Sequence, residues 1–96
     1  MRSVYLVTYD ISDDRRLRKV YKAMRGVGDH VQYSVFQCEL SPRQVIELIA
    51  DLETIIHHGE DQVLIVDLGP ADGRAASCIQ SVGRPFSPLR RRALIL

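Results

Sequence analysis

One carboxylate in this sequence stands where metal chemistry would need it. Asp10 closes the run SVYLVTYD, at the point where an apolar, β-branched stretch gives way to the polar residues Ser12, Asp13 and Asp14. A carboxylate at the end of a buried strand lies at the rim of a sheet, where a divalent cation can reach it. The following residues read as a helix start, and any of Ser12, Asp13 and Asp14 can cap free N–H groups there while the acids complement the positive helix end. Asp10 is not needed for that task. The competing reading is a turn residue that bonds its own backbone. A single carboxylate makes a poor metal site. Two copies meeting across a twofold axis make a better one, because Mg²⁺ accepts one or two carboxylates and keeps several waters.

The second candidate is cationic. Arg15, Arg18, Lys19, Lys22 and Arg25 recur on one face of the first helix, with Arg16 nearby, and no acid follows Asp14 within that helix to pair with them. Such a face is either a solvated surface or a phosphate-binding one, and the missing acids favour phosphate. We therefore name Arg15, Arg16, Arg18, Lys19 and Lys22 as candidate nucleic-acid contacts. Arg84 and the run Arg90, Arg91, Arg92 form a second basic cluster, and adjacent like charges favour an anionic partner. The formal net charge is only +1, so distribution rather than total charge carries this reading.

Other chemistries find little support. No Ser-His-Asp or Cys-His constellation can be argued, and Tyr9, Ser34 and Phe36 fit a core as well as a substrate surface. Cys38 and Cys78 have no CxxC or zinc-ligand spacing and read as reduced, partly buried thiols. Gly26-Val27-Gly28 follows a helix rather than a strand, so it reads as a helix stop and not as a phosphate loop. His57 and His58 sit at a helix end, where they complement its negative pole.

The elements that must position these residues follow from periodicity. Ser3 to Ile11 reads as a strand buried on both faces, with Tyr5, Val7 and Tyr9 on one side. A helix to about Val27 carries Leu17, Val20, Tyr21, Met24 and Val27 at three- and four-residue steps. In His30 to Leu40 the apolar side changes parity, from Val31, Tyr33 and Val35 to Phe36, Cys38 and Leu40. One unbroken strand does not do that, so a corner or bulge near Tyr33–Val35 splits it into two. Ser41 and Pro42 open a second helix as N-cap and first helical residue. Its stripe is Val45, Leu48, Ile49, Leu52, Ile55 and Ile56, and Gly59 closes it. Asp61 to Leu68 is a further buried strand, stopped by Gly69-Pro70. Ala71 to Pro88 shows little periodicity, and the apolar end of RRRALIL is expected to dock as an added strand on its own sheet or a partner's.

The order β-α-β-β-α-β, with two singly striped helices, predicts an α/β (α+β) ferredoxin-like sandwich with an extra C-terminal strand. Ninety-six residues accommodate a single domain, 1–96, in which 71–96 form a C-terminal segment carrying the docking strand. The sheet face away from the helices stays partly apolar, and a homodimer would cover it. No apolar segment approaches the roughly 20 residues that span a bilayer, so no membrane partner is expected. The apolar run in MRSVYLVTYD is too short for a signal peptide, so a cytoplasmic location is expected.

YLVTYDISDDRRLRKVYKAM, then VQYSVFQCEL at the observed distance, then the strand DQVLIVDL resemble the CRISPR-associated protein 2 family, the small partner of the integrase in spacer acquisition. The match runs over residues 3 to 68, with Gly83 added. The resemblance implies a ferredoxin-like homodimer with Asp10 as the metal-site carboxylate near the dimer axis, and Mg²⁺ as cofactor. It implies a subunit that holds DNA and bridges integrase dimers, and a metal-dependent endonuclease acting on RNA or DNA. Family arginines of the first helix correspond loosely to Arg15, Arg16 and Arg18. No general base accompanies Asp10, so the scaffold role ranks above the enzymatic one. The alternative is a toxin-like ribonuclease of related fold acting outside CRISPR.

Overall fold

The computed structural model describes residues 1–86. Along that stretch run β1 (Ser3–Asp10), α1 (Asp14–Arg25), β2 (Asp29–Gln32), β3 (Val35–Leu40), α2 (Pro42–Ile55) and β4 (Gln62–Pro70), then a short 3₁₀ turn at Arg74–Ser77. The sheet order is β2-β3-β1-β4, with every neighbouring pair antiparallel. This is the ferredoxin-like α/β sandwich expected from the order of elements. The expected C-terminal strand, and Arg90, Arg91 and Arg92 with it, lie outside the described residues.

Both helices start as their residues dictate. The Asp13 carboxylate accepts the Arg16 backbone N–H at 3.0 Å and so caps α1. Ser41 forms a capping box with Gln44, and Pro42 occupies the first turn, where its missing N–H costs nothing. α1 ends at Arg25, two residues before the expected stop. Val27 and Gly28 N–H groups both return to the Met24 carbonyl, closing the helix there.

The change of parity between residues 31 and 36 has a definite cause. Gln32 pairs with Val35 across a two-residue turn, Tyr33-Ser34, and a register shift lies between His30 and Gln32. The turn thus falls within the expected corner. Among the described residues no non-glycine residue has positive φ, so this hairpin dispenses with the left-handed residues usual in two-residue turns. The turn is braced by the His30 ring, whose Nε2 lies 2.7 Å from the Tyr33 carbonyl oxygen, and by the Tyr9 N–H, which donates to the Ser34 carbonyl at 3.0 Å.

One face of the sheet carries the core. Val7, Tyr9, Phe36, Cys38 and Leu40 pack with Val20 and Met24 of α1 and Leu48 and Leu52 of α2, with Tyr5, Val63 and Ile65 at the margin. Each large apolar side chain buried in this way contributes about 1.5–3 kcal/mol. The opposite face is less covered than a strand buried on both faces would require. Leu6 and Thr8 of β1 pair with Val66 and Leu64 of β4, which are 45% and 51% exposed. β4 also continues past Leu68 through Gly69 and Pro70. As an edge strand it tolerates Pro70, whose missing N–H needs no partner, and Gly69 takes φ +103° beside a shift in register at Val4/Tyr5. No described helix is long and apolar enough to cross a membrane.

Candidate functional site

Asp10 is the last residue of β1, lies opposite Gln62 of β4, and is exposed. Its carboxylate therefore stands at the rim of the sheet and outside the core. Among the described residues no group of three or more His, Cys, Asp or Glu side chains is arranged to hold a metal ion. One chain thus supplies no complete cage among those residues. A lone exposed carboxylate suits an ion that keeps most of its waters or that takes a second carboxylate from another copy.

The loop leaving Asp10 is fixed by a residue that sequence reasoning treated only as the start of a strand. Asp61, immediately before β4, has a side chain with 0% exposure. Its Oδ1 accepts the Ser12 backbone N–H at 3.0 Å, the Ser12 hydroxyl at 3.2 Å and Arg16 Nη2 at 3.2 Å. Its Oδ2 accepts Arg16 Nε at 2.7 Å and the His57 backbone N–H at 2.8 Å. The Arg16 guanidinium, and then the two backbone N–H groups, hold the Asp61 carboxyl well below the usual carboxylate range. Asp61 in turn raises Arg16 above its ordinary value. A fork-shaped, charge-assisted pair of this kind is both strong and geometrically selective. Because Gln62 pairs with Asp10, the clamp joins the two chain segments that flank the candidate carboxylate. No local pattern marks Asp61. Only the antiparallel pairing of β1 with β4 brings residue 61 to residues 12 and 16.

The cationic candidates separate into two groups. Arg15, Arg18, Lys19 and Lys22 are exposed on the outer face of α1, while Val20 and Met24 fill its inner face. None of these four cations has an ion-pair partner among the described residues. Arg16 lies on the flank toward the α2–β4 loop, with a side chain 23% exposed and bonded to Asp61, and it also approaches Glu60 at 3.3 Å. The structure therefore gathers Arg15, Arg18, Lys19 and Lys22 on one surface and commits Arg16 to holding the loop.

The remaining candidates resolve into core or turn. Tyr9 and Phe36 are buried and stacked, with ring centroids 6.3 Å apart, and Ser34 is half of the hairpin turn. Burial, and then the neighbouring Tyr21, raise the Tyr9 hydroxyl above its ordinary value. Both cysteines are free thiols, Cys38 buried and Cys78 exposed.

A four-stranded antiparallel sheet, two helices on one face and a rim carboxylate at the end of β1 define a small ferredoxin-like α/β protein. The chain belongs to the CRISPR-associated Cas2 family, whose description, CRISPR associated protein Cas2, matches residues 2–74. It is 43% identical over its full length to the full length of a protein of Geobacter sulfurreducens named CRISPR-associated endoribonuclease Cas2. It is 44% identical to CRISPR-associated endoribonuclease Cas2 1 of Rhodospirillum rubrum, covering 96% of this chain and 89% of that one. Among solved structures, Streptococcus pyogenes Cas2 superimposes with a TM-score of 0.73 at 29% identity, over 83% of this chain and 99% of that one. A hypothetical protein from Thermus thermophilus gives a TM-score of 0.78 at 28% identity, over 92% and 99% respectively.

Proposed function

We propose that this chain serves CRISPR adaptation as a nucleic-acid-holding subunit. In this reading it forms a twofold dimer, binds duplex backbone through α1 and bridges integrase subunits. The observation that carries the reading is the outer face of α1, where Arg15, Arg18, Lys19 and Lys22 stand exposed and form no ion pair among the described residues. Cations arranged like this neutralise successive phosphates and release counterions. Dimerisation is supported by the open sheet face, where Leu6, Thr8, Leu64 and Val66 lie together. Membership of the family supports action in CRISPR over the toxin-like alternative.

The second reading is a metal-dependent endonuclease, favoured by Asp10 at the sheet rim and by the endoribonuclease names of the relatives. Asp10 from each of two copies would hold Mg²⁺. The ion, when bound, would lower the pKa of a water and make it a nucleophile toward phosphorus. In this chain Asp10 contributes the ligand, and Asp61 with Arg16 and Ser12 keeps the loop behind it in place.

Duplex binding measured at two salt concentrations, with pull-down from the native cell, tests the first reading. Affinity should fall steeply with salt, and an integrase should co-purify. A salt-insensitive affinity rules out backbone recognition. Asp10→Ala tests the second: it should leave folding and duplex binding intact while abolishing Mg²⁺-dependent cleavage of single-stranded RNA. If cleavage by rigorously purified protein survives the substitution, Asp10 is not the metal ligand.

A further inference from the structure

We propose that the cavity between α1 and the β2–β3 turn binds an unpaired nucleobase of a single-stranded oligonucleotide, with Tyr33 as the stacking platform. The inference rests on the nucleic-acid reading above and adds to it a site that recognises bases instead of backbone.

The cavity is an open surface depression of about 820 Å³, within the usual size of small-molecule sites of roughly 300–1,000 Å³. It is lined by Leu17, Tyr21 and Tyr33 together with the cations Arg18, Lys22 and Arg25 of α1. Aromatic rings beside cations in one lining favour a ligand that is flat, aromatic and anionic. A nucleotide meets all three conditions, and Arg18 and Lys22 belong to the same α1 face assigned to phosphates.

Tyr33 supplies the second, independent observation. Its side chain is 94% exposed, although it occupies a hairpin turn where folding alone favours Gly, Asn or Asp. Among the described residues nothing in the fold uses the ring. Its backbone is nevertheless held on both sides, by the His30 ring on the Tyr33 carbonyl and by Tyr9 N–H on the Ser34 carbonyl. With the backbone already braced, stacking orders only the two side-chain torsions of the ring and no further backbone. Tyr21, which shares the lining, is held by its neighbours: it packs edge-on against Phe36, with centroids 5.6 Å apart, and against His30 at 5.4 Å. An incoming base stacks on Tyr33, and its phosphate meets Arg18 and Lys22.

The test is fluorescence anisotropy with a labelled ten-nucleotide single strand and a labelled duplex, on wild type, Tyr33→Ala and Tyr33→Phe at several salt concentrations. Stacking on an aromatic side chain is sequence-tolerant, and its removal should weaken single-strand binding about tenfold or more. Tyr33→Phe should bind as wild type does. The salt slope should stay unchanged in both variants, because stacking releases no counterions, and duplex affinity should not move. Single-strand affinity unaffected by Tyr33→Ala, with duplex binding normal, would overturn the pocket and leave the backbone reading standing. Failure of wild type to bind either nucleic acid would overturn both. A changed sedimentation coefficient for Tyr33→Ala would also overturn the proposal, by assigning the ring to a contact with a second copy.

Discussion

Arg16 Nε lies 2.7 Å from Asp61 Oδ2, and this pair ties the first turn of α1 to the residue just before β4. The carboxylate also accepts the Ser12 and His57 backbone N–H groups, so its charge is matched on every side that the chain presents. The loop that leaves the candidate ligand Asp10 is thereby tied to the segment that leads into β4.

That pair makes stability depend on acid in a defined direction. The folded Asp61 carboxyl is held below its ordinary value of about 3.9, first of all by Arg16. Its contribution is present above the unfolded value and is lost as pH falls through the folded one. Asp61→Asn should therefore lower the urea midpoint at neutral pH, and the gap from wild type should narrow below about pH 4. Urea titrations at pH 7, 5 and 3 measure it. An undiminished gap at pH 3 would assign the loss to something other than the ionised carboxylate.

Cations of α1 should divide in their effect on binding. Arg15→Ala, Lys19→Ala and Lys22→Ala should each weaken duplex binding and reduce the slope of log K against log salt by about 0.9 for each phosphate no longer neutralised. Their stability should change by no more than about 0.5 kcal/mol, as for ordinary surface substitutions. Arg16→Ala should do the reverse, lowering the melting temperature while the salt slope stays near that of wild type. Melting curves beside a salt series on the same four proteins distinguish the two behaviours.

Gly28 should admit no side chain. A Cβ there would lie 2.5 Å from Cys38 Sγ and 2.8 Å from the Gln37 carbonyl oxygen, and the latter is backbone that cannot swing away. Gly28→Ala should cost about 1–3 kcal/mol through overpacking between α1 and the β2–β3 hairpin. Equilibrium unfolding in urea reads this directly, and a cost below about 0.5 kcal/mol would show that the hairpin shifts aside freely.

The two thiols should differ sharply in reactivity. Burial, with Asp29 nearby, pushes the Cys38 thiol up to about 12, whereas Cys78 is exposed. Since the thiolate is the nucleophile, a maleimide-type or disulfide reagent at neutral pH should modify Cys78 in the native protein and reach Cys38 only after unfolding. Counting modified thiols by mass before and after adding denaturant checks this. Rapid double labelling of the native chain would show that the packing of α1 on β3 opens readily.

Residues read locally were enough for much of the architecture. The stripe Leu17, Val20, Tyr21, Met24 made α1 legible, Ser41-Pro42 marked the start of α2, and the parity change before Phe36 announced the hairpin. Each depends on spacing along a single element, where helical and strand periods are fixed by backbone geometry. Asp10 was visible for the same reason, as a polar residue ending an apolar strand. The strand ends were less legible, because Pro70 is tolerated only on an edge strand, and which strand lies at an edge is a property of the whole sheet.

Amino-acid order thus determined which elements form, which face of each is apolar and where the charged side chains sit along α1. Tertiary structure alone decided that Arg16 turns to Asp61 while Arg15, Arg18, Lys19 and Lys22 stay outward, and that Tyr33 and Tyr21 wall one cavity. The physical reason is separation along the chain. Residues 16 and 61 meet only after β1 and β4 pair in one register, and this partly buried ion pair is fixed by that register, not by any pattern within reach of either residue.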